Sequence, residues 1–112
     1  MASKFAKMKM ISNLDINGLK KAEKSYGDSW KKRGGVGAFM MLARKWDRIE
    51  NQVVKEGYDI FETISKDPST SGILDDIQDL RRYLLLVEEH VVKNPEWLGP
   101  FVDTNNNDEE KI

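Results

Sequence analysis

Apolar residues recur at three- and four-residue steps in two long stretches, and these stretches predict the main helices. Over residues 36–56 the repeating set is Val36, Phe39, Met40, Ala43, Trp46, Ile49 and Val53, the spacing of an amphipathic helix. Gly57 comes next as a stop, because glycine takes the left-handed turn that ends a helix at little cost. Over residues 73–93 the set is Ile73, Ile77, Leu80, Leu84, Val87 and Val91. Asn94-Pro95 ends that helix, since a residue before proline is pushed out of the helical region.

The remaining segments are less periodic. Residues 14–25 are compatible with a helix, with Leu14, Leu19 and Ala22 as a thin apolar edge and Gly18 weakening it. Residues 1–12 are basic with scattered methionines and read as a loose arm or a helix that docks late. Residues 26–37 hold four of the eight glycines and read as a loop. Residues 58–66 fit a short helix or an extended piece equally well, and 67–72 (DPSTSG) read as a turn-rich loop. Residues 95–102 supply Trp97 and Phe101 to cap a core, and the polar, acidic 103–112 reads as a disordered tail. No internal repeat and no run of alternating strands is visible. The expected architecture is therefore all-α, a helical bundle in one domain over 13–102. Two long helices and a short one make a thin core for this length, so a second subunit is expected to complete the bundle.

Charge and composition narrow the function. Lysine plus arginine number 18 and aspartate plus glutamate 19, so no electrostatic drive toward nucleic acid is expected. The absence of cysteine and the single histidine exclude disulfides, thiolate sites and a multi-histidine zinc site. No apolar run is long enough for a signal peptide or a membrane span, which points to a cytoplasmic protein.

The candidate chemistry lies in two pairs of acids. On a helix advancing about 100° per residue, Val36, Met40, Ala43 and Val54 share one arc, and Asp47 and Glu50 fall in the same arc. Lys45, Arg48, Asn51 and Gln52 supply the opposite, exposed side. The second long helix repeats the pattern. Asp76 lies inside an arc running from Tyr83 through Leu80, Val87 and Val91 to Ile77, and Asp79 lies on its edge. Each pair has i, i+3 spacing, so its carboxylates leave one side of the helix. Ionised carboxylates gathered on packed faces repel, and a hard divalent cation such as Mg²⁺ with oxygen ligands relieves that repulsion. The competing expectation is neutralisation by Arg44, Lys45, Arg48 or Arg81.

Other residues suggest a ligand. Tyr26 and Trp30 sit in a polar loop where burial explains them poorly, and each can stack on a base. Lys31, Lys32 and Arg33 come directly after Trp30, although such a run is commonly just a solvated loop. The glycines at 34, 35 and 37 precede a helix start, which suits a phosphate. Trp46 is expected in the core, and His90 is expected to be structural or on the surface.

Several of these residues together resemble a known family. Tyr26-Gly27-Asp28-Ser29-Trp30, the run Arg44-Lys45-Trp46-Asp47-Arg48-Ile49-Glu50, and Asp76, Asp79, Leu80, Tyr83 and Leu85 resemble the nucleotide modification associated domain type 1 family of phages and bacteria. That family resembles the all-α nucleoside triphosphate pyrophosphatases, the MazG and dimeric dUTPase group, with E-x-x-E on one helix and E-x-x-D on the next. The resemblance implies Mg²⁺-dependent hydrolysis (Mn²⁺ serving as well) of a nucleoside triphosphate to the monophosphate and pyrophosphate. It implies a homo-oligomer, dimer or tetramer. Carried over by position, Asp47 and Glu50 match the first pair and Asp76 and Asp79 the second, as metal ligands and catalytic groups. The implied substrate contacts are Tyr26, Trp30, Lys31, Lys32, Arg33, Arg44, Arg48 and Tyr83. Asp stands for Glu at two of the four acidic positions, shortening the reach by one methylene. The alternatives are a nucleotide binder without turnover, or a phage protein that binds a host factor on the same scaffold.

Overall fold

The computed structural model describes residues 3–66 and 72–92. Four α-helices account for most of them: α1 (Lys4–Tyr26), α2 (Gly34–Val53), α3 (Ile60–Lys66) and α4 (Ile73–Val91). Short 3₁₀ turns cover Ser29–Lys31 and Val54–Glu56. No strand occurs among the described residues, and no described helix is long and apolar enough to cross a membrane. The expected all-α class therefore holds. The expectations for Asn94-Pro95, Trp97, Phe101 and the 103–112 tail lie outside the described residues, as does most of the 67–72 turn.

The chain divides into two compact units, Met1–Gly27 with Glu88–Ile112, and Asp28–Val87. In the first, residues 4–12 are continuous with residues 13–26, forming the opening turns of α1. Ser3 caps that helix, its hydroxyl accepting from the Ala6 amide at 3.1 Å, which satisfies one of the amides a helix start leaves open. Gly27, at φ 57°, ends it. Asp15 is 2% exposed in the middle of α1. It lies one turn from both Ile11 and Leu19, and every buried side-chain oxygen or nitrogen among the described residues has a hydrogen-bond partner.

The second unit holds the larger core. Ile49 and Val53 of α2 and Ile73 of α4 are buried together, with Ile60 and Ile64 of α3 and Ile77 and Leu80 of α4 packed around them. A tight corner brings α3 there. Gly57 and Tyr58 both have positive φ (64° and 66°), a conformation that costs glycine little and most other residues more. Asp59 then starts α3, its Oδ1 accepting from the Glu62 amide at 3.0 Å. The hydroxyl of buried Thr63 donates to the Asp59 carbonyl at 2.8 Å. Residues 58–66 thus resolve into a corner and a helix. The sequence carries the signal, a capping aspartate three residues ahead of a glutamate.

Candidate functional site

Packing of Ile49 and Val53 into the core fixes how α2 is turned, and the turn places every charged residue on that helix. Lys45, Arg48 and Gln52 flank Ile49 and Val53 around the helix and reach α4. Asp76 lies three residues after buried Ile73 and is itself 2% exposed. Arg48 Nε donates to its Oδ1 at 2.8 Å, and Gln52 Nε2 donates to its Oδ2 at 2.9 Å. The same Gln52 nitrogen donates to the Arg48 carbonyl at 3.0 Å. Three residues on, Asp79 Oδ2 meets Lys45 Nζ at 2.9 Å. Asp76 and Asp79 are therefore both neutralised by cations of α2.

Asp76 lies within the packed face of α4 and Asp79 at its partly exposed edge, as their positions predict. Asp47 and Glu50 do not face the core. Both are exposed, and neither takes part in an ion pair among the described residues. Lys45, Arg48 and Gln52, expected on the solvent side, make the contact with α4. The same reversal exposes Val36, Phe39, Met40 and Trp46, with Trp46 at 58% instead of in the core.

The reason is that α2 carries two apolar arcs. One runs through Val36, Phe39, Met40, Ala43 and Trp46; the other runs through Ala38, Ile49 and Val53. Turning the first arc inward would set Asp47 and Glu50 against Asp76 and Asp79, four like charges without a counter-ion. Turning the second inward sets Lys45, Arg48 and Gln52 against them. Leaving the 2%-exposed Asp76 without these partners would cost about 2 kcal/mol, since Arg48 itself is half exposed, so the polar residues choose the face.

This arrangement sets how the four acids stand relative to one another. Asp76 has both oxygens engaged, Asp79 is paired, and Asp47 and Glu50 point the other way. Among the described residues no group of three or more histidine, aspartate or glutamate side chains is gathered as a metal site would need. Within one chain the four acids do not fit a shared divalent ion.

The expected substrate contacts are spread out. Tyr26 is the last residue of α1 and is exposed. Trp30 is half-buried in the first 3₁₀ turn, with Lys31 Nζ 5.9 Å from its ring centre, and Lys31 also meets Asp28 at 3.6 Å. Lys32 and Arg33 are exposed just before α2, and Arg44 is exposed on it; none of the three has an ion-pair partner among the described residues. A Cβ added at Gly37 would lie 2.8 Å from the Arg33 Cβ, so this glycine is what lets the Arg33 stem lie across the first turn. Tyr83 is half-buried on α4, and His90 is exposed in its last turn. Buried Asp15 is absent from the sequence-based candidates, although its place in the Ile11–Leu19 edge of α1 is visible in the sequence. No family model matches the chain, and neither the curated proteins nor the solved structures compared with it gave a match.

Proposed function

We propose that this chain is a nucleotide-binding protein on the helical scaffold of the nucleoside triphosphate pyrophosphatases, holding its ligand without hydrolysing it. The observation that carries this reading is the Arg48–Asp76–Gln52 cluster, beside which Lys45 holds Asp79. Two of the four acids that hydrolysis would need are committed to holding the helices together. The nucleotide part of the reading is supported by the family resemblance and by Lys32, Arg33 and Arg44. Uncommitted guanidinium and ammonium groups on a surface suit phosphate oxygens. A titration of the full chain with a panel of ribo- and deoxynucleoside triphosphates tests it. Calorimetry should show saturable binding and a raised unfolding temperature, while chromatography of the same mixtures shows intact triphosphate.

The second reading is a Mg²⁺- or Mn²⁺-dependent pyrophosphohydrolase of cytoplasmic nucleotide metabolism, phage or bacterial. The exposed, unpaired Asp47 and Glu50 favour it, since they are an i, i+3 carboxylate pair open to an ion. It requires Asp76 to exchange Arg48 for metal. Pyrophosphate release that depends on the metal and disappears in Asp47→Ala would establish this reading over the first. No response to any nucleotide would reject both and leave a protein that binds a macromolecular partner.

A further inference from the structure

The resemblance gives Asp76 a metal; the structure gives it an arginine. Asp76 is buried, its Oδ1 accepting from Arg48 Nε at 2.8 Å and its Oδ2 from Gln52 Nε2 at 2.9 Å. The Arg48 side chain is nonetheless 53% exposed. Only its Nε is engaged: no other side-chain hydrogen bond or ion pair of Arg48 occurs among the described residues. A guanidinium carries five N–H donors in one plane. With Nε turned to a fixed carboxylate, the donors on Nη1 and Nη2 remain, at the end of the side chain away from its stem.

Arg44 lies one turn earlier on α2, about 40° around the helix from Arg48. It is exposed and has no ion-pair partner among the described residues. Side chains at i and i+4 are neighbours on a helix surface, so two guanidinium groups share one patch with the Asp76 carboxylate alone bonded to them. Lys45 adds no free charge there, because Asp79 holds it at 2.9 Å. Asp47 is exposed and flanks Arg44 on the side away from Arg48, about 60° round the helix. All of these residues belong to the unit Asp28–Val87, and the contacts among them are internal to it.

We infer that Asp76 is a positioning residue, fixing the Arg48 guanidinium so that it and Arg44 receive a polyphosphate in its metal-free form. That the ligand carries phosphates rests on the nucleotide-binding reading; how they are held rests on the Arg48 geometry. Two planar forks one turn apart suit neighbouring phosphoryl groups, and a fork already held in place loses less freedom on binding. Mg²⁺ bound to a polyphosphate takes the same oxygens and lowers the negative charge the arginines attract. The metal is then a competitor of Arg44 and Arg48, and the acid that the resemblance gives to a metal acts through an arginine.

Calorimetric titration of the full chain with inorganic tripolyphosphate tests it, first with a chelator and then with Mg²⁺ equimolar to the probe. Circular dichroism and urea midpoints confirm that each variant is folded. Binding should be saturable with the chelator and about fivefold or more weaker with Mg²⁺. Arg48→Lys keeps the charge but loses the fork, and should weaken binding about tenfold. Asp76→Asn should weaken it about fivefold although Arg48 is intact. Gln52→Met removes the other partner of Asp76 and leaves the Arg48 Nε bond, so it should lower the urea midpoint while affinity stays within about twofold. Asp47→Asn should tighten binding about twofold by removing a charge that repels the ligand, whereas loss of a metal ligand would weaken it. Binding that Mg²⁺ strengthens, or that Arg48→Lys leaves unchanged, would overturn the inference. Equal losses of affinity in Asp76→Asn and Gln52→Met would overturn the positioning role. The same titrations with a nucleoside triphosphate keep the two readings apart. Nucleotide bound equally well by Arg48→Lys sinks the arginine site alone; tripolyphosphate binding that responds to these variants, with no nucleotide binding, sinks the nucleotide reading alone.

Discussion

The two sides of α2 both carry large apolar side chains and behave in opposite ways. The inward side buries Ile49 and Val53 and surrounds them with Lys45, Arg48 and Gln52, each matched to an acid of α4. The outward side exposes Val36, Phe39, Met40 and Trp46 beside two acids that no ion pair among the described residues neutralises. The difference shows that hydrophobic periodicity identifies a face without saying which neighbour will cover it. Charge complementarity supplies that information.

The sharpest way to break this comparison is to remove one large apolar group from each side. Ile49→Ala should cost about 3 kcal/mol in urea unfolding, because the site is enclosed on several sides and a cavity remains. Phe39→Ala should change stability by less than ~0.5 kcal/mol. Equal losses would show that the two faces do not differ in this way. Next in size is the clamp. Asp76→Ala should cost about 2 kcal/mol, less than a fully enclosed pair because the Arg48 side chain is half exposed. The double variant Asp76→Leu, Arg48→Met should recover much of that loss, as apolar replacements of buried ion pairs do. A double variant no more stable than Asp76→Ala would mean that the ion pair contributes net stability over an apolar contact.

A smaller effect tests the corner that delivers α3 to the inward side. Gly57→Ala should lose about 1 kcal/mol, since φ there is +64°. The smallest effect lies at the far end of α3. Lys66 meets Glu56 at 2.7 Å and Glu62 at 3.7 Å. The hydrogen bond to Glu56 and the charge of that carboxylate, with a lesser contribution from Glu62, raise the Lys66 pKa above its ordinary 10.5. A raised pKa means the contribution is fully present below 10.5 and is lost as pH rises through the folded-state value. Urea midpoints should therefore fall slightly over that alkaline range, and Lys66→Met should abolish the drift.

Much of the fold is legible in the sequence for identifiable reasons. Gly57 stops the helical run as its chemistry requires, and the stripe from Ile73 to Leu80 reads correctly because Ile73 is buried and Ile77 and Leu80 pack against the core. The position of Asp76 within a packed face is legible for the same cause, and neutralisation by arginine is one of the two outcomes its charge allows. The orientation of α2 is not legible from spacing, because both of its arcs satisfy the same steps. Size and step put Trp46 in the core, and polarity puts Lys45, Arg48 and Gln52 in solvent; the structure reverses both. In a helix whose neighbour carries buried acids, the long polar side chains belong on the contact side, where their stems pack and their ends pair. The part of α1 over residues 4–13 is hard to read as an amphipathic helix because lysines interrupt its apolar residues.

Gln52 ties the backbone of α2 to a side chain of α4, since its amide nitrogen donates to both the Arg48 carbonyl and Asp76. The last turns of α2 cannot fray outward without releasing the start of α4. Their amide protons should exchange with solvent together, as one cooperative opening of the two segments, although Gln52 and Asp76 are 24 positions apart in the chain.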